Sequence, residues 1–261
     1  MNDLGHVAQA ALLGLAASLA LAALTWAASV PLRDVSIVDS VWSLLVLAPA
    51  GVAGATWPEL GARAWLVLAL ASLWALRLAG YITWRHWGHE EDHRYRAIRA
   101  RNEPHFVWKS LYLVFGLQAM LGWVVSMPLL GAMAGMAPWG WLDALGIALF
   151  ALGFGVEAVA DAQLARFKAD PGSRGRVMAS GLWRYSRHPN YFGEFCLWWG
   201  LWLVAAAAGA WWTVVSPLLM SVLLLKVSGV ALLEKDIDER RPNYRAYVAR
   251  TNAFFPWRPR A

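Results

Sequence analysis

The chain has 261 residues, of which 59% are hydrophobic and only 15% charged, with a mean hydropathy of +0.43. A water-soluble domain of this length carries roughly 25% charged residues, so the composition excludes one. The net charge of +6 would suit nucleic acid, but its placement along the chain excludes that partner and points to a membrane surface.

A spanning helix needs about 20 apolar residues at 1.5 Å each. Seven such runs are predicted, at roughly 8–30, 36–56, 63–84, 107–133, 139–163, 191–208 and 211–233. Pro31, Pro58, Pro104, Pro138, Pro171 and Pro189 fall in or beside the gaps, where proline costs least. The first cation is Arg33, so no cleavable signal peptide is expected. Without a repeat or a low-complexity linker, the expectation is one integral membrane domain over 1–261, all-α, with seven transmembrane helices.

Charge placement predicts the orientation. With the N-terminus outside, the inner segments are 31–35, 85–106, 164–190 and 234–261, and they hold 19 of the 23 Lys and Arg residues. The other four, Arg63, Arg77, Lys109 and Lys226, lie within or at the edge of spans. An N-out, C-in chain thus obeys the positive-inside rule throughout.

Charges inside a bilayer cost a few kcal/mol each on insertion scales, so those present need a reason. Asp39 interrupts the second run, and Arg77, Tyr81 and Arg85 form an i, i+4, i+8 stripe on the third. The first large inner loop carries His86, His89, Glu90, Glu91, Asp92, His93, Arg94 and Arg96. It reads as a solvated salt-bridged loop, with a docking site for an adenine as its alternative. Three histidines so close could ligate zinc, but no further ligand is fixed nearby, and no metal site is expected.

Glu157 and Asp161 are four apart at the end of the fifth run, hence on one helix face. Asn190 and Glu194 repeat the spacing at the start of the sixth, and together offer donors and acceptors to a planar carboxamide. Between these pairs lie Arg166, Lys168, Arg174 and Arg176, interleaved with glycine, in a pattern that suits the phosphates of lipids or of a ligand. His188 before Pro189 reads either as a proton carrier or as structural. The lone Cys196 excludes an intramolecular disulfide and a multi-cysteine metal site, and reads as a small buried hydrophobe.

Four stretches carry a resemblance. They are Ser180-Gly-Leu-Trp-Arg-Tyr185-Ser-Arg187-His188-Pro189-Asn190-Tyr191-Phe-Gly193-Glu194, Leu233-Glu-Lys-Asp-Ile-Asp-Glu-Arg240-Arg-Pro-Asn-Tyr244-Arg-Ala-Tyr247 with the closing Phe254-Phe-Pro256-Trp, Asp34-Val-Ser-Ile-Val-Asp39-Ser-Val-Trp42, and Glu91-Asp92-His-Arg94-Tyr95. The chain resembles the steroid 5α-reductase superfamily, and within it the bacterial branch of membrane proteins. The similarity is closest over about 150–261.

The resemblance implies a seven-span, NADPH-dependent reductase of a carbon–carbon double bond conjugated to a ketone in a lipophilic substrate. By residue matching, Asn190 and Glu194 would hold the nicotinamide carboxamide, and Asp161 would contact the cofactor. Glu157 stands where the family has Asn. Lys168 and Arg176 match the phosphate-binding cations, Tyr185 lies in the matched string, and Asp236, Arg240 and Tyr247 match a C-terminal polar cluster. The family's Gln-Glu pair is absent; Asp39 would replace the Glu and Tyr81 the family's Tyr at the substrate carbonyl. Two rivals accompany this reading. An S-adenosylmethionine-dependent methyltransferase of the isoprenylcysteine or phospholipid type shares the Arg-His-Pro string but has no use for phosphate-binding cations. A non-catalytic lipid- or sterol-binding protein would use the basic loops for anionic membrane lipids. No protein partner is implied.

Overall fold

The structure is a computed structural model and describes residues 4–227, 229–230, 234 and 244–260. It is 79% helix, with no strand among the described residues. The chain divides into two compact units, Met1–Pro138 with Ala205–Thr213, and Trp139–Val204 with Val214–Ala261. The sequence signals no such domain boundary; the C-terminal half expected to bind the cofactor, about 140–261, begins near this division.

Five helices are long and apolar enough to cross a membrane: α1 (Leu4–Leu32), α2 (Ile37–Thr56), α3 (Ala62–His86), α5 (Phe106–Ala134) and α6 (Trp141–Ala169). They correspond to the first five predicted runs. The sixth is α7 (Pro189–Ala207), where Asn190, Glu194 and three tryptophans dilute the hydropathy. The seventh, α8 (Trp211–Val227), is shorter than those five among the described residues. The protein is therefore an all-helical integral membrane protein. Between spans lie the short polar helix α4 (His93–Asn102) and, near the end, α9 (Tyr244–Arg250).

In the first unit, helices meet at small residues, as expected where lipid is as apolar as the interface and close packing drives association. A Cβ on Gly14 would lie 2.6 Å from Pro49, and one on Gly122 would touch Leu45. Buried hydroxyls cross between helices: Ser18 Oγ donates to the Leu45 carbonyl at 3.0 Å and Ser43 Oγ to that of Ala75 at 2.8 Å. Arg63, at the outer edge of α3 in the predicted topology, is buried and donates to the Ala137 and Pro138 carbonyls at 2.8 and 3.2 Å. That capping accounts for a cation outside the inner loops. Lys109, near the start of α5, reaches the Asn102 carbonyl at 3.0 Å, while Lys226 is exposed.

One turn sets up the polar end of this unit. Arg33 takes a left-handed φ of 51° just beyond α1. Its N–H donates to the Val30 carbonyl and that of Asp34 to Ser29, at 3.2 Å each, the two-bond Schellman closure usually made by glycine. A side chain there costs roughly 1–2 kcal/mol of backbone preference. The turn delivers Asp34 and Ser36 to the base of α2.

In the second unit, α6 and α7 run antiparallel with their backbones nearly touching. Gly146 faces Gly200 and Val204, and Gly153 faces Gly193 and Leu197, with would-be Cβ distances of 2.5–2.6 Å to backbone atoms. Each helix repeats its glycine after seven residues, two turns, so both close approaches lie on one face.

Candidate functional site

Polar residues cluster in each unit. In the first, the Asp34-to-Asp39 segment interlocks with the Glu91-to-Arg99 segment. Glu91 is buried, accepts the Val35 N–H at 2.9 Å, and forms a two-pronged pair with Arg99 at 2.7 and 3.0 Å. Asp92 caps α4 by accepting the Arg94 N–H at 2.9 Å, while its own N–H donates to Ser36 Oγ at 3.1 Å. Asp34 accepts the Ser36 N–H and hydroxyl and lies 2.7 Å from His86 Nε2. Burial alone would raise the Asp34 pKa, but these hydrogen bonds outweigh it and hold it below the usual carboxylate range. Asp92 is lowered the same way, burial being outweighed by Arg94.

Asp39 sits inside this lock. Its Oδ2 accepts from Arg94 Nη2 at 2.7 Å and its Oδ1 from the Tyr95 hydroxyl at 2.5 Å. Gln118 in turn donates to the Tyr95 oxygen at 3.0 Å. Burial, followed by the Asp39 charge, pushes the Tyr95 phenol well above its ordinary pKa. Tyr95→Phe removes the donor to Asp39 and the acceptor for Gln118. It should cost about 1–2 kcal/mol in reversible unfolding of the detergent-solubilised protein, with the fold retained.

Tyr81, expected to act with Asp39, lies on α3. Its ring lies between two guanidiniums, Arg77 at 5.4 Å and Arg85 at 5.6 Å, so the stripe read from the sequence is a cation–π stack. The hydroxyl bonded to Asp39 is that of Tyr95. The Glu91-Asp92-His-Arg94-Tyr95 string was the only signal for it, and a separation of 56 residues gave no spacing from which to infer the pairing. The histidines of the 86–93 segment are engaged in part with acids, His86 with Asp34 and His93 with Asp92. Among the described residues no group of three His, Cys, Asp or Glu side chains is placed to hold a metal ion.

In the second unit, Glu157 and Asp161 are buried on the face of α6 that meets α7, at 2% and 3% exposure, and Glu194 of α7 is 9% exposed. Asn190 Nδ2 donates to Asp161 Oδ1 at 3.2 Å. The two i, i+4 pairs thus come together where α6 ends and α7 begins. Lys168 and Arg176 are exposed beyond them, and so is the Tyr185 ring. The loop between is pinned to α6: the Leu182 N–H donates to Gln163 Oε1 at 3.0 Å, and Trp183 Nε1 to the Ala160 carbonyl at 3.0 Å.

The Arg187-His188 string holds the C-terminal segment. Arg187 grips Glu234 with two 2.7 Å hydrogen bonds, and His188 Nε2 lies 2.9 Å from the same carboxylate. Arg187 also donates to the Thr251 carbonyl at 2.5 Å. The Ser186 hydroxyl donates to the Phe254 carbonyl at 2.8 Å, and the Trp257 N–H to that of Tyr185 at 3.0 Å. Tyr247, expected to meet the cofactor, is 4% exposed and donates its hydroxyl to the carbonyls of Trp183 and Ser186. Burial pushes its pKa above the tyrosine range. Its observed task is to position the loop. Glu234 was missed as a candidate, although it lies in the quoted C-terminal string. Asp236 and Arg240 lie outside the described residues.

These features define a class: an all-helical membrane protein with buried acid–amide clusters at helix ends and exposed cations beside one of them. Residues 25–251 match a family model described as a protein of unknown function, DUF1295, and the chain belongs to that family. The family is part of the steroid 5α-reductase-like group. The chain is also 28% identical to an uncharacterized protein of Schizosaccharomyces pombe, over 93% of this chain and 78% of the relative. No solved structure matches it.

Proposed function

We propose that this protein is an NADPH-dependent membrane reductase that saturates a carbon–carbon double bond conjugated to a ketone in a lipophilic, steroid-like or isoprenoid-like substrate. The observation that carries this reading is the meeting of Asn190 with Asp161, beside buried Glu157 and Glu194, at the ends of α6 and α7. The donor set fits the cofactor. An Asn amide and carboxylates complement a carboxamide that both donates and accepts, and exposed Lys168 and Arg176 complement phosphates. S-adenosylmethionine has no phosphate for those cations to bind. The topology we propose is seven spans, α1, α2, α3, α5, α6, α7 and α8 with its continuation, the N-terminus outside. The protein would sit in a bacterial plasma membrane with its C-terminus in the cytoplasm.

Bound at that face, NADPH would supply hydride to the electron-poor β-carbon. The chain's own residues do the rest. Asn190 and Glu194 fix one ring face by holding the carboxamide, and Asp161 orients the Asn190 amide. Lys168 and Arg176 screen the phosphates, and Tyr185 offers an exposed ring to the nucleotide. Asp236 and Arg240 are assigned to the same cofactor by resemblance, and Tyr247 supports the site by holding its loop. Asp39 and Tyr81 stand in for the family's Glu and Tyr at the substrate carbonyl. The Tyr81 hydroxyl would donate to the oxygen as hydride arrives and negative charge builds, and a proton from water would complete the saturation at the α-carbon. Asp39 would orient the Arg94 and Tyr95 donors that it accepts from.

Thermal melting of the solubilised protein with NADPH, NADH and S-adenosylmethionine tests this, since a ligand selective for the native state raises its apparent stability. NADPH should raise the melting temperature, and Asn190→Ala or Glu194→Ala should abolish the rise. Lys168→Ala and Arg176→Ala should each weaken NADPH roughly tenfold, the worth of one charge-assisted hydrogen bond. A rise with S-adenosylmethionine alone would instead establish the methyltransferase reading.

A further inference from the structure

Helix α1 has 29 residues, roughly 43 Å at 1.5 Å per residue. That exceeds the ~30 Å hydrocarbon core and matches the 40–45 Å, roughly, of a bilayer with its headgroup layers. Leu12, Leu19, Trp26 and Val30 share one face of the helix, and the three aliphatic side chains are exposed. Trp26 stacks on the exposed Trp108 at 5.3 Å, in the manner of an interfacial aromatic pair. Arg33, the first cation of the chain, follows seven residues later, about 10 Å further along the axis. It stands at the level of the headgroups.

Two observations single out the Arg33 side chain. First, the backbone opposes it: at a φ of 51° glycine is comfortable and arginine is not. The dipole of α1 attracts a cation at this end, but at an exposed position that attraction is weaker than the conformational cost. Second, the guanidinium is exposed and makes no hydrogen bond or ion pair among the described residues, although acids surround the turn. Each of those acids is engaged elsewhere: Asp34 with His86, Asp39 and Asp92 with Arg94, Glu90 with Arg96, and Glu91 with Arg99. Glu103, beyond α4, makes no ion pair with it either. Arg99 also reaches the Arg33 carbonyl at 3.5 Å, which brings a second guanidinium to the turn. An uncompensated cation thus ends an apolar, lipid-facing stripe.

We propose that Arg33 binds the phosphate of an anionic phospholipid whose chains lie along the Leu12–Leu19–Val30 face of α1. The guanidinium supplies the paired donors that a phosphate accepts, and the face below it supplies the apolar surface that the chains require. An anionic headgroup is favoured over phosphatidylcholine, which carries its own cation beside the phosphate. The site goes beyond the reductase reading and does not depend on it, since that reading places the nucleotide phosphates on Lys168 and Arg176.

Arg33→Gly tests the site, because glycine suits the turn and the variant should fold. In phosphatidylcholine nanodiscs the full-length variant is expected to melt at or above wild type. Adding phosphatidylglycerol to the discs should raise wild type about 3 °C more than Arg33→Gly, the equivalent of one cation–phosphate contact. Arg101→Ala, which removes an exposed arginine from α4, should gain as much as wild type. Native mass spectrometry should show phosphatidylglycerol held roughly fivefold more weakly by Arg33→Gly than by the other two. Equal phosphatidylglycerol shifts in wild type and Arg33→Gly would overturn the proposal. So would an equal loss in Arg101→Ala, the mark of diffuse surface attraction. Melting of Arg33→Gly well below wild type in phosphatidylcholine would show that the protein itself holds the side chain. A shift of wild type by glycerol 3-phosphate in phosphatidylcholine discs would assign the site to a free phosphate instead. Loss in Arg33→Gly of an NADPH shift seen in wild type would assign it to the nucleotide.

Discussion

Glu234→Ala is expected to destabilise the protein by about 3 kcal/mol, the low end of the cost of removing one partner of a buried ion pair, since the Glu234 side chain stays 21% exposed. Arg187 is 8% exposed, and its Nε and Nη2 both bond Glu234 at 2.7 Å. Without the carboxylate the guanidinium keeps the Thr251 and Val248 carbonyls, which supply acceptors but no countercharge. Glu234→Gln preserves the size and one acceptor and should cost less. The same pair sets a pH dependence. Burial raises the Glu234 pKa, but hydrogen bonds from Arg187 and His188 outweigh it and bring it from 4.5 to about 2. A carboxyl whose pKa is depressed by folding contributes stability that is fully present above its unfolded value and lost as pH falls through the folded one. Stability should therefore fall by about 3 kcal/mol between pH 4.5 and 2 through this group, at 1.36 kcal/mol per unit. Glu234→Gln should flatten that limb of the profile, measured by unfolding of the solubilised protein across pH. An unfolding free energy for Glu234→Ala within 1 kcal/mol of wild type would show that the clamp is not buried in solution.

The clamp marks where the sequence was readable and where it was not. The first five spans were legible because hydropathy over 20 residues depends on composition and needs no knowledge of partners. α7 weakens that signal, since it carries Asn190, Glu194 and three tryptophans in 19 residues. α4 went unread because His93–Asn102 has no apolar stripe and relies on the Asp92 cap and on buried Tyr95. In the second unit, four-residue spacings at the ends of consecutive helices singled out Asp161 and Asn190, which meet across the 170–188 connection. In the first unit Glu91 and Asp39 find partners 8 to 56 residues away. No local periodicity encodes that, so Asp39 was singled out but Tyr95 and Gln118 were not. Arg187 and His188, read inside a cofactor string, hold Glu234 and the C-terminal segment. A motif can thus signal a family because it builds the loop on which ligand-facing residues stand.

The most severe effect on the proposed cofactor face is expected at a residue with no side chain of its own, Gly193. Gly193→Ala would place a Cβ 2.6 Å from the Glu157 nitrogen and 2.6 Å from the Gly153 oxygen, both backbone atoms that cannot swing aside. Ordinary contact is 3.4 Å or more, so α7 must back away from α6 by most of an ångström. Overpacking of this kind costs about 1–3 kcal/mol. The shift matters more than the energy, because Asn190 and Glu194 ride on the same turn of α7 as Gly193. Moving that turn stretches the 3.2 Å bond from Asn190 to Asp161 beyond hydrogen-bonding reach. Gly155→Ala is the matched control: it lies on α6, where a Cβ meets nothing within 4 Å, and should gain up to about 1 kcal/mol of helix propensity. Gly193→Ala is therefore expected to melt several degrees below wild type and to lose the NADPH-induced shift, while Gly155→Ala melts at or above wild type and keeps it. Equal melting of the two variants would mean that the helices do not approach at Gly193. Retention of the NADPH shift by a destabilised Gly193→Ala would separate the nucleotide from this face and place it elsewhere on the protein.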